Sequence, residues 1–205
     1  MHAREAPMNA QTIKTVQHAT DTSLSRSRWT WHRIRTIGFW ATTFVVVFEL
    51  VAGSVWNLLQ IEWVRVQLSH LGYPDYFAYI SGAWQAGGAA VIIAPRVPRL
   101  KEWAYAGAFF QWSGAVATHL LRGDFTPVSV WLTPLVFAMF AVASWALRPA
   151  DRRLPNSGLL PETRPLAWAV PVGILLLLYA ASVLMLPSVE AAMHERAAEL
   201  GWIAR

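Results

Sequence analysis

Apolar residues gather into five long runs separated by short polar breaks, at 37–59, 75–95, 102–121, 127–147 and 166–186. Each run reaches the roughly 20 residues a helix needs to cross a bilayer core. None alternates apolar and polar positions over about 10 residues, as a barrel strand would. The breaks carry turn and charge signals. Gly72-Tyr73-Pro74 closes the first connection, and Arg122-Gly123-Asp124 the third. Pro95 and Pro98, with Arg96, Arg99 and Lys101, mark the second. Pro149, Pro155, Pro161 and Pro165 fill the fourth, at 148–165. Pro134 and Pro171 fall inside runs, which membrane helices tolerate when neighbours re-satisfy the backbone. The pattern predicts an all-α integral membrane protein, a four-helix transmembrane bundle plus a fifth C-terminal transmembrane helix.

The predicted organisation is a basic tail at 1–36, the bundle at 37–147, a Pro-rich linker at 148–165, the fifth helix at 166–187 and an amphipathic tail at 188–205. The first run is too long for the h-region of a cleaved signal, which holds about 7–15 apolar residues, and reads as an uncleaved anchor. In the last segment Ala192, Met193, Ala197, Leu200 and Trp202 share one face. It is expected to lie as a short interfacial helix on the outer leaflet.

Composition agrees with a lipid partner. Hydrophobic residues make up 55% and charged residues only 14% of 205, against about 25% charged in soluble domains. There is no cysteine, which removes disulfides and every thiol-based cofactor site. The net charge is +5. Lys and Arg in alternate segments number 13 on one side and 4 on the other. The positive-inside rule then places the N-terminus in the cytoplasm and the C-terminus outside. Topology accounts for the basic residues, so no nucleic-acid partner is expected.

Polar residues at membrane depth are the first candidates for chemistry. Glu49, Gln85 and Gln111 fall near the centres of the first three runs and would meet at mid-depth if those helices pack together. Glu49 shares a helix face with Gly53 and Trp56, and Gln111 with Ala115, His119 and Arg122. His119 would sit about 12 Å outward of Gln111. Buried Gln side chains often serve as interhelical glue. Glu49 is either a protonated structural group or one that handles protons or ligand.

A second group lies at the connections expected outside. Glu62, Arg65, His70, Tyr73 and Asp75 belong to the first, and His119, Arg122 and Asp124 to the third. Their spacing matches no metal motif, and His194 is a distant third histidine. A hydrogen-bonded cluster is the expectation. No nucleophile elbow, phosphate loop or dinucleotide fingerprint is present, so no sequence motif assigns a reaction.

Several strings resemble the DoxX-like membrane protein family over about residues 40–147. They are His70-Leu71-Gly72-Tyr73-Pro74, Tyr76-Phe77 and Gly82-Ala83-Trp84, then Pro98-Arg99-Leu100-Lys101-Glu102-Trp103-Ala104-Tyr105-Ala106-Gly107. Gly114-Ala115, His119 and Gly123-Asp124 continue them. The resemblance implies a four-helix membrane bundle made by the first four spans, with the fifth span and both tails outside the family core, and a bacterial inner membrane is the expected location. It also implies a link to membrane oxidoreductase complexes coupled to quinone. Thr118 stands where relatives usually have Ser. Gln85 stands where many carry Lys, and Gln111 where many carry Asp.

Two functional readings follow. In one, the chain is a redox-associated membrane subunit with a quinone between the first three spans. Glu49, Trp56, Trp84, Gln85, Gln111 and Trp112 would bind it, and Glu49 or His119 would handle a proton. Redox equivalents would then come from the quinone or a partner subunit. In the other, it is a non-enzymatic bundle, alone or as a homo-oligomer, for assembly, envelope integrity or small-molecule passage. Trp29, Trp31, Trp40, Trp63, Trp103, Trp131, Trp145, Trp168 and Trp202 lie near run ends, where aromatic belts form without any ligand.

Overall fold

The computed structural model describes residues 10–149 and 166–203. Residues 1–9 and most of the expected Pro-rich linker lie outside them. Six helices are described and no strand: α1 (Ala10–Leu58), α2 (Glu62–Leu71), α3 (Tyr76–Ile93), α4 (Pro98–Arg122), α5 (Ser129–Leu147) and α6 (Leu166–Glu199). Three stretches are each long and apolar enough to cross a membrane, namely Arg33–Leu58, Ser129–Leu147 and Ala167–Glu199. α3 and α4 are not among them. α4 carries Arg99, Lys101, Glu102, Gln111, His119 and Arg122, and α3 carries Gln85 and three glycines.

α1, α3, α4 and α5 close a four-helix ring. α1 packs on α3 and α5, and α4 packs on the same two helices from the other side. α6 lies along α1 and reaches α2. The core joins Val46, Val47, Leu50 and Val51 of α1 to Ala89 and Ile92 of α3, Tyr105, Ala108 and Trp112 of α4, and Ala138 and Ala141 of α5. One buried polar knot sits in it. The Ser144 hydroxyl lies 2.7 Å from that of Thr43 and 2.8 Å from that of Tyr105, so α1, α4 and α5 share a satisfied hydrogen-bond chain.

α1 and α3 approach closely because glycines face the partner helix. A Cβ on Gly53 would stand 2.8 Å from Gln85 Oε1, and one on Gly82 would stand 2.8 Å from Leu58 Cγ. Small residues at such positions let helix backbones come together.

Two expected boundaries shift. The first connection is not a plain loop, since α2 folds inside it. Its ten residues are too few to show as a span. The break expected after 187 is also missing, and α6 continues to Glu199 with Pro187 inside it. The segment at 188–199 is therefore an extension of the fifth helix. Ala197 in it is fully buried.

Candidate functional site

Three helices end at one pole of the bundle with the same C-terminal motif. Gly72, Gly123 and Gly201 have φ of 83°, 89° and 70°, a left-handed turn that glycine adopts without a Cβ penalty. In each case the glycine N–H and the next N–H bond back to the last turn: Gly72 to Ser69 and Tyr73 to Leu68, Gly123 to Leu120 and Asp124 to His119, Gly201 to Ala198 and Trp202 to Ala197. This is the Schellman arrangement, which satisfies orphan carbonyls and reverses the chain. Each reversal delivers the next residue to the same place. Tyr73, Asp124 and Trp202 all arrive at the pole where His70 and His119 end α2 and α4.

Asp124 lies between the two histidines. His70 Nε2 donates to Oδ1 and Oδ2 at 2.8 and 3.0 Å, and His119 Nδ1 donates to Oδ2 at 2.7 Å. The partners assign the His119 tautomer. A carboxylate only accepts, so Nδ1 carries the proton, and Nε2 accepts from the Gln67 amide at 3.4 Å. His119 is only 1% exposed. Burial by itself pushes the Asp124 carboxyl upward. Hydrogen bonds from His119 and His70 outweigh it and hold the carboxyl below the usual range.

The surroundings order this centre. The Tyr73 hydroxyl donates at 2.9 Å to Thr118, which donates in turn to the Gly114 carbonyl at 2.9 Å. The indole of Trp202 stacks on His70, with centroids 4.7 Å apart, and lies near-parallel to His119 at 6.3 Å. Beside His70 and Asp124 opens a cavity of about 330 Å³, walled by Thr126, Pro127 and Val130 on one side and by the end of α6, Glu199 to Trp202, on the other. The arrangement is a proton-bearing His–Asp–His centre at the edge of a cavity. With both histidines turned onto the carboxylate, no metal-holding group of three His, Cys, Asp or Glu occurs among the described residues.

The other candidates fall elsewhere. Arg65 and Arg122 are exposed and, among the described residues, do not bond to the centre. His194 pairs with Glu62 at 2.7 Å, apart from His70 and His119. The Gln85 amide is buried and accepts from Asn57 at 3.3 Å. Gln111 donates to Ser81 at 3.2 Å. Glu49 is half-buried, and no hydrogen bond joins it to either amide among the described residues. Trp112 is buried in the core against Phe137, and Trp56 packs on the cluster of Ile61, Val64 and Ala78. Trp84 is 75% exposed on the outside of the ring.

Sequence reasoning missed two features. Trp202 reads as a span-end aromatic, and only the fold sets it on His70. Lys101 reads as a loop charge. In the structure it is buried, and its ammonium donates to the carbonyls of Val91, Ile92 and Ala94 at the end of α3. Next to it Glu102 pairs with Arg148 at 2.8 Å and accepts from the Trp145 indole at 2.7 Å. This second polar cluster forms the opposite pole, where Arg35 also donates to the Arg148 carbonyl.

The description of the DoxX-like family matches residues 41–144, just over half of the chain. The chain belongs to the DoxX-like family. The match takes in the last part of α1, all of α2 to α4 and nearly all of α5, so His70, His119 and Asp124 lie within it and α6 with Trp202 lies outside it. No curated protein and no solved structure matches this DoxX-like chain.

Proposed function

We propose that this DoxX-like protein spans a bacterial inner membrane five times, through α1, α3, α4, α5 and α6, and binds a small proton-exchanging ligand at the His70–Asp124–His119 pole. The N-terminus is cytoplasmic in this reading and that pole faces outward. Support comes from the poles themselves. The segments poor in Lys and Arg meet at the histidine pole, and Arg35, Lys101 and Arg148 gather at the other. α3 and α4 cross despite their polar residues because the ring covers Gln85, Lys101 and His119.

One observation carries the ligand reading: a buried histidine is joined through one carboxylate to a second histidine that borders a cavity. Protons can then move between the cavity edge and His119 without large rearrangement. A cavity of about 330 Å³ falls at the small end of ligand sites, roughly 300–1,000 Å³. A quinone headgroup is the ligand class that fits best. It would meet the His70 ring, the Thr126 hydroxyl and the side chains of Pro127 and Val130, and it would supply redox chemistry that this cysteine-free chain lacks. A partner subunit would exchange the electrons.

The test is purification in mild detergent, lipid extraction with mass spectrometry, and titration with decylubiquinone. About one quinone per chain, lost at least tenfold in His70→Ala, supports the reading. No bound quinone and no saturable titration would sink it. That result would favour the non-enzymatic bundle, for which the mutual pairing of the three residues already speaks: the centre also ties α2, α4 and the α5 approach together.

A further inference from the structure

α6 is longer than a crossing requires. The 33 residues Ala167–Glu199 extend about 50 Å as a helix, whereas the hydrocarbon core is about 30 Å thick. The C-terminal part of α6 must therefore stand beyond the lipid. Pro187 lies inside the helix at the changeover. It has no N–H to donate and crowds the preceding turn, so the helix is weakened there, as it is at Pro171 near its start.

Beyond Pro187 the helix holds the bundle by a few contacts. Ala197 is fully buried. His194 pairs with Glu62 at 2.7 Å, with both side chains about half exposed. Arg196 donates to the Ser129 hydroxyl at 2.5 Å. Exposed pairs of this kind contribute little, and segments held so lightly open before the core does. The tip of the segment is nevertheless specific. Trp202 stacks on His70 and lies 5.2 Å from Trp63.

We infer that α6 beyond Pro187 is a hinged cover over the His70–Asp124–His119 centre, with Trp202 as its closing side chain. The cover forms one wall of the cavity and is supplied from outside the family core. Opening at Pro187 lifts the indole from His70 and exposes the centre to water. The inference deepens the ligand reading but measures access, so absence of quinone binding leaves it standing.

The test uses the full chain in detergent and diethylpyrocarbonate, which acylates accessible imidazole. Rates at His70 and His119 are read by peptide mass spectrometry against added N-acetylhistidine. Trp202→Ala is expected to raise the His70 rate at least fivefold, and Trp202→Phe, which keeps the stack, to leave it within twofold. The chain has no cysteine, so Glu62→Cys with His194→Cys admits a short bis-maleimide bridge across the latch. Bridging is expected to slow the His70 rate at least threefold. An unchanged rate on bridging overturns the cover, whether or not Trp202→Ala folds. An unchanged rate in folded Trp202→Ala overturns it too.

Discussion

His119 Nδ1 lies 2.7 Å from Asp124 Oδ2, although a helix would carry residues five apart to different faces. The contact exists because Gly123 turns left-handed at φ 89° and throws Asp124 back over the last turn of α4. Asp124 then serves two histidines from two helices. Replacing it with Asn removes the charge that both rings donate to, and is expected to cost about 2 kcal/mol. Gly123→Ala places a Cβ in the left-handed region and should cost about 1–2 kcal/mol. Thermal unfolding in detergent measures both.

The pH dependence follows from the same bonds. The folded Asp124 carboxyl is held below its unfolded range, so its contribution is fully present above about pH 4. It is lost as pH falls from there through the lowered folded value. The wild-type melting temperature should therefore drop on acidification below about pH 4, and Asp124→Asn should show a shallower drop. Parallel acid slopes would show that Asp124 is not the linked group.

At the other pole, Lys101 is 2% exposed and its three donors meet three carbonyls at the end of α3. A cation there satisfies groups the helix leaves orphaned and complements its dipole. Lys101→Met keeps the stem and removes every donor. The expected cost is about 2–4 kcal/mol, read as lower detergent stability and less folded protein on size exclusion. A loss under 0.5 kcal/mol would mean that water caps those carbonyls instead.

The apolar cores of the helices and the stops at Gly-Tyr-Pro and Arg-Gly-Asp were legible because spanning runs need length, but the run of α1 back to Ala10 and of α6 on to Glu199 through polar residues was not. His70, His119 and Asp124 were legible as a group because both connections fall at the same pole. Their geometry was not, since the His70–Asp124 bond joins positions 54 apart in sequence. Trp202 was hidden by its ordinary place after an amphipathic helix. Lys101 was hidden among Arg96 and Arg99, where any lysine reads as a cytoplasmic loop charge. α2 was hidden because a ten-residue helix leaves too short a pattern between two spans.

The glycines separate close packing from mere smallness. A Cβ on Gly53 would meet both terminal atoms of the buried Gln85 amide, at 2.8 and 3.0 Å, whereas one on Gly107 meets nothing within 4 Å. Gly53→Ala should cost about 1–3 kcal/mol by forcing that amide aside. Gly107→Ala should gain about 0.5–1 kcal/mol from helix propensity. Equal melting shifts in the two variants would show that α1 and α3 pack less closely than this.

Glu49 tests where the ligand sits. It is half-buried in α1 between the core residues Val47 and Leu50, away from the cavity. Glu49→Gln is expected to leave decylubiquinone titration within twofold of wild type, with normal yield of folded protein. Loss of titration with normal folding would move the site to mid-bundle, among Glu49, Gln85 and Gln111.

Orientation decides which solution the centre exchanges protons with. Lys and Arg number 13 in the segments at or leading to the Lys101 pole and 4 at the other. Basic residues resist translocation, so the Lys101 pole should face the cytoplasm. A reporter enzyme active only outside the cytoplasm, fused after Arg205, is expected to be active. The same reporter after Pro155 should be inactive. The reverse pattern would turn the histidine pole inward, and its protons would then come from the cytoplasm. Activity at both sites would mean that α6, the one described helix between the two fusion points, does not cross.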